Sequence, residues 1–185
     1  MAAKRGTMTT VQAWIEPVSD DPEAVSALSV ARSRLPGGRR LRSLRRVRLV
    51  ELAGAMPPRP MVEDLLHRSI QFYNPHKERC AVRTAVADAA PLAADEQVVL
   101  VFERGGERRD AAERWWRHET GRVIEVREGV AWVMAFDDGE ADSGRATAEL
   151  ALLRDRHRGL LCNPHAQEHR VATGTIPLPW LGAKA

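Results

Sequence analysis

Two stretches decide how this chain is read: Leu65-Leu66 leading to Phe72-Tyr73-Asn74-Pro75-His76, and Leu152-Leu153 leading to Leu160-Leu161-Cys162-Asn163-Pro164-His165. In each, an amphipathic helix is expected to run into an Asn-Pro-His turn. Asn bonds readily to its own backbone, and the Pro that follows stops a helix from continuing. Asn74, Pro75, Asn163 and Pro164 are therefore read as structural turn residues. The two Asn lie 89 positions apart (163 minus 74), close to half of the 185 residues. Self-similarity at that period points to a duplicated unit. The expected repeats are 11–90 and 97–176, followed by a C-terminal tail, 177–185.

Working outward, each half reads as strand, helix, strand, helix, strand. In the first, Val11 to Ile15 is a strand. Asp21-Pro22 opens a helix, the carboxylate capping it and the Pro sitting where a missing N–H costs nothing. Its stripe is Val25, Leu28, Ala31 and Leu35, and Pro36-Gly37-Gly38 ends it. Leu44 to Leu52 is a strand. Val62, Leu65, Leu66, Ile70 and Tyr73 mark the next helix, and Arg79 to Val86 the third strand. In the second half, Val98 to Phe102 is a strand and Asp110 to Thr120 a helix, with Ala111, Ala112, Trp115 and Trp116 inward and Gly121 as its stop. Val123 to Phe136 is a strand pair or one bent strand. Ala146, Leu150, Leu153, His157 and Leu160-Leu161 stripe the last helix, and His169 to Thr175 is the closing strand. The fold class is α/β, an α+β sandwich of two β-α-β-α-β repeats forming a pseudo-dimer.

Composition limits the function. With 44% hydrophobic residues the chain supports a packed core, and a formal charge of +3 is only mildly basic. No apolar stretch approaches the roughly 18 to 20 residues of a membrane helix. The basic start lacks the apolar core of a signal peptide, so a cytoplasmic location is expected. Cys80 and Cys162 are read as small buried residues. Arg39, Arg40, Arg42, Arg45, Arg46 and Arg48 form the densest basic run, interleaved with Leu41, Leu44, Val47, Leu49 and Val50 as in a strand with one solvated face.

Several residues carry a family resemblance. Asp21-Pro22 at a helix start, Arg45-Arg46-Val47 and Val126-Arg127-Glu128-Gly129 at strand starts, Asn74-Pro75 with Glu78, and Asn163-Pro164 with Glu168 one residue out of step recur in order. This pattern resembles the PurS small subunit of formylglycinamidine ribonucleotide synthase, in tandem as in the N-terminal domain of the large single-chain synthase. The resemblance implies a non-catalytic accessory subunit without cofactor. Its partners would be a glutaminase subunit and an ATP-dependent synthetase subunit, in purine or related nucleoside biosynthesis, with self-association open to it. Units of that family pair edge to edge, so a tandem chain would act as a covalent dimer. Arg45, Arg48 and Arg127 are the candidate partner or phosphate contacts.

Sharper chemistry has weaker support. Cys162, His165 and His169 have C-x₂-H-x₃-H spacing, with His76 and Cys80 as further donors, but no paired C-x₂-C accompanies them. No metal is expected. The competing functional classes are a small tandem domain that binds nucleic acid and one that senses a metabolite. The first would need aromatic residues in the style of an RNA-recognition sheet, which the chain lacks. The second would use the glycine loops Gly105-Gly106 and Gly139.

Overall fold

The computed structural model describes residues 9–105, 108–137, 142–172 and 174–182. Six strands, β1 (Thr9–Pro17), β2 (Leu41–Gly54), β3 (Glu78–Arg83), β4 (Gln97–Glu103), β5 (Ile124–Phe136) and β6 (Gln167–Ala172), form one antiparallel sheet in the order β3-β1-β2-β5-β4-β6. Four helices, α1 (Pro22–Arg34), α2 (Arg59–His67), α3 (Asp110–Thr120) and α4 (Ser143–Ala151), alternate with them. The architecture is α+β. Both halves contribute to the same sheet, and β2 and β5 join them from Leu41 opposite Phe136 to Gly54 opposite Ile124.

Alternation along the strands divides the sheet into two faces. On one face α2 and α3 cover Val11, Ala13, Ile15, Val50, Leu52 and Val126, while α1 and α4 cover Leu44, Val99, Val101, Trp132 and Met134. Each helix pair therefore takes one member from each half. The opposite face, with Trp14, Leu49, Leu100 and Val133, is covered by the closing segment 176–181 through Ile176, Trp180 and Leu181. Trp14 and Trp180 stack with ring centroids 6.4 Å apart. Covering on both sides explains the unbroken apolar run Val98 to Phe102, which is buried throughout.

Local chemistry sets the boundaries. The Asp21 carboxylate accepts from the Glu23 and Ala24 amides at 2.8 and 3.3 Å, which starts α1. Gly121, at φ 68°, ends α3 in the left-handed region that glycine favours.

Five expectations need correction. In α1 the buried residues are Ala24 and Ala31, and Val25 is exposed. The turn Pro36–Gly38 folds back so closely that a Cβ on Gly38 would lie 2.3 Å from the Ala31 carbonyl, which leaves room only for small residues. Helix α2 stops at His67, so Ile70 is exposed and Phe72 is buried in its place. In α3 Ala111 faces solvent while Ala112 and Trp116 are buried. The last helix does not reach Asn163. It ends at Ala151, and Asp155 then accepts from the His157 amide and the Arg158 side chain, both at 2.8 Å, a local alternative to helix. Leu153 and His157 are consequently exposed. The third strand also ends early, at Arg83, because the Asp88 carboxylate takes the Thr84 and Ala85 amides at 2.7 and 3.1 Å.

A buried polar cluster fixes the closing segment. One oxygen of Glu51, which is 3% exposed, accepts from Gln12 at 2.8 Å and from the Trp180 amide at 2.5 Å. Its other oxygen accepts the Leu181 and Gly182 amides at 2.9 and 3.0 Å. Arg83 donates to Gln12 at 2.6 Å and to the Ile176 carbonyl at 3.2 Å. Replacing Glu51 by Gln turns one acceptor into a donor facing amides, with an expected loss of about 2 to 3 kcal/mol in urea unfolding. Limited proteolysis of Glu51→Gln is expected to cut within 174–182 at a protease level that leaves the parent intact.

Candidate functional site at the seam between the halves

The two Asn-Pro turns are the same object. Asn74 Oδ1 accepts the His76 amide and Asn163 Oδ1 the His165 amide, both at 3.0 Å. The Asn74 amide donates to Glu78 Oε2 at 2.7 Å, and the Asn163 amide to Gln167 Oε1 at 3.0 Å. Glu78 is thus matched by Gln167 and not by Glu168: the second half has a Glu-to-Gln replacement at this position rather than a slipped Glu.

The ladders extend the match. Trp14 lies opposite Ala81 and Leu49, and Leu100 opposite Arg170 and Ala131. Leu49 therefore corresponds to Ala131, and Arg48 to Val130. Arg48 and Val130 are also direct partners across β2 and β5, so the pseudo-two-fold axis passes between them.

Two identical arginines opposite one another at this point would repel. The chain has one. Arg48, with a side chain 24% exposed, meets Glu128 at 2.9 Å and Glu78 at 3.1 Å and donates to the Phe72 carbonyl at 3.0 Å. Burial opposes its charge, but the hydrogen bonds and fields of Glu128 and Glu78 outweigh that and raise its pKa.

On either side the charges are reversed. Arg46 pairs with Asp21 at 3.4 Å, where Asp21 is the residue capping α1. At the corresponding positions Glu128 pairs with Arg109, the residue at the start of α3. Arg46 also meets Glu23 at 3.1 Å. Val130 is shorter than Arg48, and a cavity of about 170 Å³ opens beside it, bordered by Glu103, Glu128, Val101, Trp132 and Gln167.

No family model, curated protein or solved structure matches this chain.

The candidate contact residues do not share one surface. Arg45 and Arg127 are at matched positions on the face away from the helices, whereas Arg48 is on the helix face. Arg45 binds Glu16 at 2.6 Å and Glu96 at 3.0 Å, and Arg127 binds Glu125. Arg42 meets Asp95 at 2.5 Å. Within the basic run, Arg45 and Arg48 thus lie on opposite faces, and Arg42, Arg45, Arg46 and Arg48 are tied to carboxylates, unlike a one-sided phosphate surface.

The thiols are poor nucleophile candidates. Burial, followed by Glu63 and Glu78, pushes the Cys80 thiol up to about 12, and burial raises that of Cys162. Cys162 is fully buried among α4 residues, while His165 is exposed on its turn and His169 half-buried on β6. Among the described residues no group of three His, Cys, Asp or Glu could hold a metal. Of the glycine loops, Gly106 and Gly139 lie outside the described residues.

The sequence reading missed Glu51, Gln12, Arg83, Arg109 and Glu128 as network members. Glu51 carried a signal, a carboxylate inside the apolar run Leu49-Val50-Glu51-Leu52. The others have ordinary sequence surroundings and acquire partners only through strand pairing.

Glu113 holds α3 to β5 beside Arg109. Its carboxylate accepts the Val126 amide at 2.9 Å and two Arg108 bonds at 3.1 and 2.7 Å. Burial would raise its pKa, but those donors outweigh it and hold the carboxyl below its ordinary 4.5. A depressed folded pKa gives stability that is present above the ordinary value and lost as pH falls through the folded one. Glu113→Gln is expected to cost about 1 to 2 kcal/mol at neutral pH. In urea unfolding across an acid series, the gap to the parent should close as pH drops below 4.5.

Proposed function

We propose that this chain is a non-catalytic accessory subunit of the PurS type, bridging a glutaminase and an ATP-dependent amidotransferase in purine or related nucleoside biosynthesis. One observation carries the reading: two halves with the same order of elements meet edge to edge through β2 and β5 about a pseudo-two-fold axis. That is the arrangement expected of a covalent pair of such units. Joining the units makes their pairing intramolecular and lets each half diverge, as at Arg48 and Val130. The duplicated turns give related but unequal surfaces, Glu78 beside Asn74 and Gln167 beside Asn163, suited to two different partners. The intramolecular pairing of Arg42, Arg45, Arg46 and Arg48 weighs against nucleic acid as the ligand.

The test is an affinity pull-down of the tagged protein from its native extract with glutamine and ATP present, read by mass spectrometry. Joint recovery of a glutaminase and a synthetase is expected. Recovery of neither would end this reading.

A second reading, the binding of an anionic metabolite, is favoured by a cavity of about 460 Å³ between the turn 35–37 and α4, where Arg145, Arg154, His157 and Arg158, beside Glu149, surround Leu35 and Leu150. That volume is within the range of small-molecule sites. If this reading holds, nucleotide monophosphates will raise the melting temperature of the parent and have a smaller effect on Arg154→Ala.

A further inference from the structure

Helices α2 and α4 have nine residues each and lead to equivalent Asn-Pro turns, but by links of different length. The link 68–73 in the first half has six residues; the link 152–162 in the second has eleven, five more (11 minus 6). Six residues suffice to join helix to turn, so the fold itself does not require the other five. The longer link contains Arg154-Asp155-Arg156-His157-Arg158, an exposed run of three arginines and a histidine to one acid. The shorter link holds a single arginine, Arg68, which is tied to Asp64 at 2.9 Å and Glu119 at 3.5 Å.

The longer link is held in place as a lip. The Arg154 amide donates to the Arg158 carbonyl and the Leu160 amide to the Leu150 carbonyl, both at 2.8 Å. Gly159, at φ 79°, passes so near Leu152 that a Cβ there would overlap its carbonyl. The lip borders the 460 Å³ cavity through Arg154, His157 and Arg158. Leu35, Pro36 and Gly37 of the first half form the facing wall, and Ala148 and Leu150 of α4 lie between. The cavity is thus assembled from both halves, and its cations come mainly from the residues that the duplicated fold does not need.

We propose, building on the metabolite-binding reading of this cavity, that its ligand is an organic phosphate. The phosphate is held by the longer link with Arg154 as the principal contact, and a compact apolar body lies against Leu35, Pro36, Ala148 and Leu150. Charge favours this arrangement. Arg158 is met by Asp155 at 2.7 Å and Arg145 by Glu149 at 3.7 Å, whereas Arg154 has no carboxylate partner among the described residues. Nor do Arg34 and Arg39, which flank the turn, or Arg156 in the lip. Glu149, the acid among the lining residues, stands over Gly37 beside Arg145, so its charge is met there. His157 Nε2 accepts from Arg156 at 3.0 Å, which leaves Nδ1–H of the neutral ring as a further donor. A phosphate dianion takes several guanidinium and ring N–H donors at once, more than a single carboxylate can.

Isothermal titration calorimetry on the full chain tests this with four probes: AMP and phenyl phosphate, which carry different bodies, adenosine, which lacks the phosphate, and inorganic phosphate, which lacks the body. At least one organic phosphate is expected to bind saturably and tenfold or more tighter than adenosine and inorganic phosphate. The tighter of the two identifies the body as a nucleoside or a plain aryl group. Arg154→Gln should weaken binding about tenfold, as for loss of one charged hydrogen-bond donor. Arg154→Lys, which keeps the charge but not the fork, should weaken it less. Arg68→Gln, on the shorter link, should bind as the parent does. Ala148→Phe, at an exposed position of α4, fills the cavity and should abolish binding. If neither organic phosphate binds the parent, the proposal and the metabolite reading fall together. If one binds but Arg154→Gln binds it equally well, the proposal alone falls, the anion then being held elsewhere on the cavity wall. Equal affinity for adenosine or for inorganic phosphate would also overturn it, because one part of the ligand would then contribute nothing.

Discussion

The antiparallel pairing of β2 with β5 is the constraint on which the rest of the structure depends. Among the described residues these are the two longest strands, and they form the only direct ladder between the halves. Their register places Val50 and Leu52 on the same face as Trp132 and Met134, and so places α1 with α4 and α2 with α3. A shift by one residue would turn the apolar set of one strand towards the wrong side. Each core cluster under the helices would lose its contributions from one half. The register thus determines the pairing of helices as well as of strands.

A symmetric pair of separate chains must place the same residue on both sides of its axis. Here the axis passes between an arginine and a valine, and its flanks hold ion pairs of opposite polarity, Arg46 with Asp21 and Glu128 with Arg109. Neither arrangement is open to two identical subunits. The covalent link permits each carboxylate at the seam to find a cation without forcing like charges together. The same divergence leaves one side filled by a side chain and the other side hollow.

What could be read from the sequence followed from local chemistry. Asp21-Pro22, Gly121 and the Asn-Pro pairs specify their own turns within a few residues, and Asn74 and Asn163 make the same kind of hydrogen bonds. Reading failed where a local bond competed with an apolar stripe. Asp155 diverts residues 152–161 from the helix that Leu153 and His157 suggested, and Asp88 ends β3 before Val86. It failed again where the partner is remote. Glu51 meets amides some 130 positions later, and Arg109 meets Glu128 only once α3 has packed on β5. Periodicity records which face a residue occupies, but not which charge will be waiting there.

The closing segment imposes an order on folding. Residues 176–182 follow all six strands in the chain, and the Glu51 carboxylate binds amides 129 to 131 positions away. During synthesis, the sheet face bearing Trp14, Leu49 and Leu100 must remain open after every strand has emerged. Its carboxylate meanwhile has only Gln12 to bond. Closure of so long a loop is entropically costly and comes after the local helices and hairpins have formed. Any state in which that segment has not docked would present one bare apolar side of the sheet, the kind of surface on which aggregation and chaperone capture act.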